Sequence, residues 1–171
     1  MFDAIIDAAA AESPLWAEAA LPEGVRARTS VFSPLAPKSH VLGLETIYEG
    51  YLMHYGRSRL FAPADRDTGL LLGDYLYAHG LVHVAATGDV AAVSDLAELI
   101  SLCAQARAGG GDGDGAAWAA TSASLGRGGL DLARAALRER GDASMLDAVA
   151  RVVAGDEAVD AALAAHARFV G

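Results

Sequence analysis

Apolar positions recur at steps of three and four along most of the chain, and Gly-Asp pairs interrupt the pattern. Residues 89–107 show it best. Val93, Leu96, Ala97, Ile100, Cys103 and Ala104 form a stripe at helical spacing. In the preceding stretch, about Asp65 to Thr87, Leu70, Leu71, Leu72, Leu76, Leu81, Val82, Val84 and Ala85 occupy every face, which predicts a buried helix. Gly88-Asp89 between them supplies a left-handed C′ position and then an N-cap. The region 65–107 therefore reads as a two-helix hairpin with Leu72, Leu76, Val82, Val93, Leu96 and Ile100 buried.

The same reasoning divides the rest. Residues 2–12 read as a short helix, and Ser13-Pro14 caps a second one through about Leu21. Prolines break the pattern from Pro22 to Pro37. A helix from about Lys38 to Leu60 follows, weakened by Gly43, Gly50 and Gly56, the last a natural stop. The run 109–115, Gly-Gly-Gly-Asp-Gly-Asp-Gly, reads as a flexible linker. Beyond it, 116–125, 129–140, 142–154 and 156–169 read as short Ala-rich helices, the Gly-Asp device recurring at 141–142 and 155–156. The expectation is one all-α domain over 1–171: a core at 38–107, the linker, and a docked helical tail over 116–169.

Composition narrows the function classes. The formal charge is −9, with no basic stripe, which argues against nucleic acid as a partner. One cysteine, Cys103, excludes an internal disulfide and a Cys-based metal framework. Its apolar neighbours predict a buried, unreactive thiol. Charged residues interrupt every long apolar run, so no membrane span is expected. The acidic start, Met-Phe-Asp-Ala-Ile-Ile-Asp, lacks a basic leader and predicts a cytoplasmic protein.

The candidate chemistry lies between Glu45 and Ala78. Glu45 and His54 are nine apart, Tyr55-Gly56 follow, and Gly73, Asp74, Leu76 and Ala78 give a Gly-Asp-x-Leu-x-Ala helix. That order resembles the front half of a trans-isoprenyl diphosphate synthase. Such enzymes place two Asp after the His, where Tyr55 and Gly56 stand here, and a second aspartate-rich motif later. No Asp-Asp occurs in this chain. The resemblance covers roughly 38–107, with a weaker echo in Gly129–Ala135 and Leu146–Ala150. It implies a truncated helical bundle of the isoprenoid-synthase type, most similar to the non-catalytic small component of heptaprenyl diphosphate synthases.

An ionising diphosphate must be clamped by several hard cations on carboxylate oxygens, and one carboxylate cannot hold them. The resemblance thus implies no catalytic residues, no metal, no cofactor and no enzymatic activity. It implies instead a partner, either a full-length polyprenyl diphosphate synthase whose product length or stability the chain sets, or a second copy in a homodimer. The contact is expected on the 89–107 helix at Leu99 and Leu102. A small helical protein binding an apolar or prenyl ligand is the alternative. A metal-dependent hydrolase using His79, His83 and Asp74 is a third class.

Six residues form the candidate ligand or anion site: Arg57, Arg59, Asp74, Tyr48, Tyr51 and Tyr75. Arg57 and Arg59 stand where the family's arginines hold diphosphate; a solvated basic face is the plainer reading. Asp74, inside an apolar helix, needs a partner if buried, with Arg57, Arg59 or a tyrosine hydroxyl as candidates. Tyr48, Tyr51 and Tyr75, with Tyr55 and Tyr77, would wall a core or groove. Glu45 and Glu49 share a helix face but miss the Glu-x-x-His spacing of carboxylate metal bundles. His79 and His83 have zinc-site spacing, but Gly80 stands where a zinc protease carries its general-base Glu.

Overall fold

A computed structural model describes residues 1–170, and its regular elements are helices. These are α1 (Phe2–Glu12), α2 (Pro14–Ala19), α3 (Val41–Tyr55), α4 (Arg66–Ala85), α5 (Val90–Ala108), α6 (Asp114–Ala123), α7 (Asp131–Arg140), α8 (Ser144–Ala154) and α9 (Asp156–Val170). Short 3₁₀ turns lie within 23–40, the stretch broken by prolines. The one β-type pairing among the described residues is an isolated antiparallel bridge between Ala20 and Phe61.

Local capping sets most boundaries. The Ser13 hydroxyl accepts from Leu15 N–H, with Pro14 at the first helical position. Asp65 caps α4 through Thr68 N–H at 2.8 Å, and Asp89 caps α5 through Ala92 N–H at 2.9 Å. Gly88 between α4 and α5 has φ of 80°, the conformation that favours glycine.

The central pair is α3 against α4, antiparallel, with backbones close enough to require glycine on both sides. A Cβ at Gly80 would lie 2.8 Å from the Gly43 carbonyl oxygen and 2.4 Å from Ile47 Cγ1. One turn-pair along, a Cβ at Gly50 would lie 2.8 Å from the Gly73 carbonyl oxygen. The glycines that weaken α3 as an isolated helix are thus what let it pack.

This pair separates two apolar clusters. On one side Leu72 and Leu76 of α4 meet Ile5, Ile6 and Ala9 of α1, Ala19, and Leu60 and Phe61. On the other, Leu44, Ile47, Tyr48, Tyr51 and Leu52 of α3 join Phe32 and the inner faces of α5 to α9. Trp118 of α6 is buried in that second cluster, stacked on Phe32 at 5.7 Å and edge-on to Tyr48 at 5.0 Å. The region beyond residue 116 therefore supplies the middle of the core, where the pattern alone predicted a docked tail.

Several expectations need correction. Helix α3 stops short of Leu60, at Tyr55, with Gly56 the stop its glycine suggested; the chain turns there, and a Cβ at Gly56 would lie 2.6 Å from the Phe169 carbonyl oxygen. Residues 57–62 then run extended beside 19–27, with Leu21 N–H to Leu60 O at 2.8 Å and Ala62 N–H to Ala19 O at 2.7 Å. The linker expected over 109–115 ends earlier: Asp114 and Gly115 are the first turn of α6, and both are buried. Helix α4 is not buried all round, since Leu71 and Val82 are 63% and 64% exposed. On α5 the inner face holds Ala92, Asp95, Leu96, Leu99, Leu102 and Cys103, while Val93 and Ile100 are half-buried. Leu99 and Leu102 are thus core residues, and the contact expected there is overturned.

Candidate functional site

Two buried charge centres flank the Tyr48 ring. The first is built on Arg59, in the extended strap after α3. Its Nε donates to Glu49 Oε2 at 2.8 Å and its Nη1 to Glu45 Oε2 at 2.6 Å. The three residues are at most 1% exposed. Arg59 and Leu60 N–H also donate to Glu49 Oε1, at 2.8 and 3.0 Å, and so does the Ser58 hydroxyl. Val31 N–H reaches Glu45 Oε1 at 3.3 Å, and Arg59 Nη1 also donates to Thr29 O at 2.7 Å. Each carboxylate is engaged, which offsets the large cost of burying charge. The four-residue step from Glu45 to Glu49 puts both on the face the strap crosses.

The second centre is Asp114, at the N-terminus of α6. Tyr51 Oη and Arg107 Nη2 both donate to its Oδ2, and Arg107 Nε does so at 2.8 Å. His166 of α9 places Nε2 3.7 Å from the same oxygen. Burial pushes the Asp114 carboxyl up, but His166, Tyr51 and Arg107 outweigh it and hold the group below the usual carboxylate range. Burial and the bond to Asp114 push the Tyr51 phenol up, so it is a permanent donor.

Tyr48 joins the centres. Arg59 Cζ lies 4.9 Å from its ring centroid, and its hydroxyl lies 2.8 Å from His166 Nδ1. Burial raises its phenol too. The line Glu49–Arg59–Tyr48–His166–Asp114–Arg107 thus crosses the bundle from the strap to α5. It is a load of complementary charge closed off by packing. Its carboxylates are already bonded to Arg59, Tyr51 and Arg107, while His166 Nε2 has no hydrogen-bond partner.

The six sequence-predicted residues do not form one site. Tyr48 and Tyr51 lie together, stacked at 5.9 Å, but inside the core rather than on a groove. Arg59 is beside Tyr48 and saturated by Glu45 and Glu49, so it cannot serve an external anion. Arg57 is exposed, with Cζ 5.9 Å from the Phe169 ring centroid and Nη2 3.5 Å from the Arg168 carbonyl. It borders an open cavity of about 320 Å³ lined also by Leu21, Val25, Phe61 and Phe169. Asp74 is exposed, its carboxylate 3.1 Å from His54 Nε2, instead of buried against an arginine or tyrosine. Tyr75 lies on the far side, its ring tilted against Trp16 at 4.3 Å and its hydroxyl donating to Ala8 O.

The residues that sequence reasoning missed are Asp114, His166, Arg107 and Trp118. Asp114 sat in a glycine run that reads as linker. One signal was present: an acidic residue followed by an apolar, Trp-containing helix fits a first-turn position. Cys103 matches expectation, buried with its thiol pushed up by desolvation. No described helix is long and apolar enough to cross a membrane.

Comparison of the chain with family models, with curated proteins and with solved structures returns no match.

Proposed function

We propose that this chain is a non-catalytic helical subunit of the polyprenyl-synthase type that acts by pairing, with a full-length polyprenyl diphosphate synthase or, in its absence, with a second copy. The observation that carries this reading is the outer face of the α4–α5 hairpin. On α4 the exposed residues Leu71, Ala78, Val82 and Ala85 share one face at steps of seven, four and three, the seam spacing of paired helices. On α5 Val90, Ser94, Ala97, Ser101 and Ala104 follow steps of four and three, and none of these positions carries charge. Val82 and Val90 are 64% and 79% exposed. Exposed apolar and small side chains of this kind, bordered on α4 by Asp67 and Asp74, fit a protein partner.

The interior supports the non-catalytic half of the reading. A prenyl-transferring bundle needs carboxylates facing a cavity that holds metal ions and diphosphate. Here Glu45 and Glu49 are bound to Arg59, and Tyr48, Tyr51 and Trp118 fill the space beside α3.

The test is mass by light scattering together with an activity assay. The chain should be dimeric alone and should exchange into a complex with a catalytic synthase. Ala97→Arg/Ser101→Arg, on exposed positions, should remain folded and become monomeric. A monomeric wild type overturns the pairing. Product formed from isopentenyl diphosphate, an allylic diphosphate and Mg²⁺ overturns the non-catalytic reading. The 320 Å³ cavity beside Arg57 keeps a second reading in view, a binder of an apolar anion. Native mass spectrometry with a prenyl diphosphate distinguishes it, because adduct lost in Arg57→Ala would favour that reading.

A further inference from the structure

Helix α4 carries His79 and His83, one turn apart on the flank that faces α1. Their Nε2 atoms converge to 3.1 Å, with the rings nearly perpendicular and centroids 4.6 Å apart. Both side chains are half-buried, so each keeps an edge toward solvent. Tyr75, one turn earlier, stacks on His79 at 5.2 Å and 18° and fixes that ring. A tetrahedral ion bound at about 2.0–2.1 Å by two imidazoles sets their nitrogens about 3.3 Å apart. The observed separation needs an opening of only about 0.2 Å to meet that value.

We propose that His79 and His83 form a two-histidine anchor for a borderline transition-metal ion, with Zn²⁺ the natural occupant and water completing its coordination. Among the described residues no set of three or more His, Cys, Asp and Glu converges, so the anchor supplies two ligands and leaves positions open. Such a site binds metal without performing the hydrolytic chemistry of a three-ligand centre. A hydrogen bond at this distance requires one of the two rings to carry its proton on Nε2. Capture of the ion moves that proton to Nδ1 of the same ring, leaving both imidazoles neutral with Nε2 lone pairs on the metal.

The experiment is a titration of the full chain with Zn²⁺ alone, read by calorimetry and by long-range ¹H–¹⁵N spectra of the histidine rings. The expected result is one ion per chain, with Nε2 shifts confined to His79 and His83. Removing a ligand should weaken binding at least as much as disturbing a ligand's support, about tenfold or more, in His83→Ala. Asp67→Asn, exposed on the same helix, should leave the titration unchanged. Absence of ring shifts, shifts at His54 in place of the pair, or undiminished binding by His83→Ala overturns the proposal. Should His83→Ala fail to fold, the ring spectra of the wild type decide the matter alone.

Discussion

Arg59 holds Glu49 through its Nε at 2.8 Å, and neither side chain is reached by solvent. The same carboxylate accepts the backbone N–H groups of Arg59 and Leu60. One side chain of α3 thus fixes both the charge and the path of the strap that leaves it. Arg59→Met would leave two carboxylates buried without their cation. The expected loss is about 3–5 kcal/mol, measured by denaturant unfolding. A change under about 1 kcal/mol would mean that water reaches the pair.

The glycine contacts between α3 and α4 give a sharper contrast. Gly80→Ala would drive a Cβ into Ile47 and the Gly43 carbonyl, and should cost about 1–3 kcal/mol despite alanine's better helix propensity. Gly24→Ala meets nothing within 4 Å and should leave the melting temperature unchanged or slightly raised.

Leu76 is fully buried between α4 and α1. Leu76→Ala should destabilise by about 2–5 kcal/mol, the range for a core leucine whose cavity cannot close. Leu99→Asp/Leu102→Asp should unfold the chain outright, because both leucines are inside. A folded monomer of that double variant would restore the contact this structure removes from α5's inner face.

Asp114 makes stability depend on acid. Its carboxyl titrates lower folded than the ordinary value near about 3.9 of an unfolded chain. The stabilisation is therefore complete above that value and is lost as pH falls below it, toward the depressed folded value. Wild type should lose stability on acidification below about pH 4, and Asp114→Asn should show a flatter profile from a lower plateau. Equal slopes for the two proteins would remove Asp114 as the source.

The elements readable from the sequence were those with local causes. Ser13-Pro14, Asp65 and Gly88-Asp89 act on groups within a few residues, and the structure has caps at each. The α5 face was not readable. In a helix rich in Ala and Leu, the stripe through Val93 and Ile100 and the one through Leu99 and Leu102 fit the period equally well. What decides between them is where α6 and α7 pack, which no local pattern contains. The charge centres were hidden for the same reason. Glu45 and Glu49 meet Arg59 only because the chain reverses at Gly56, and Asp114 meets Tyr51 across 63 positions of sequence. The periodicity supplied the helical class and the resemblance in Glu45–Ala78 the idea of a partner, but neither could show that Tyr48 and Tyr51 point inward.

The hydroxyl of Tyr48 finds His166 across 118 positions of sequence. Helix α3 is made well before α9, and the residue that closes its inner face comes only with α9. Until α9 emerges, Phe32, Tyr48 and Trp118 have no lid, and the nascent chain must carry an uncovered aromatic face. Closure of so long a loop makes the docking of α9 against α3 a late event in folding.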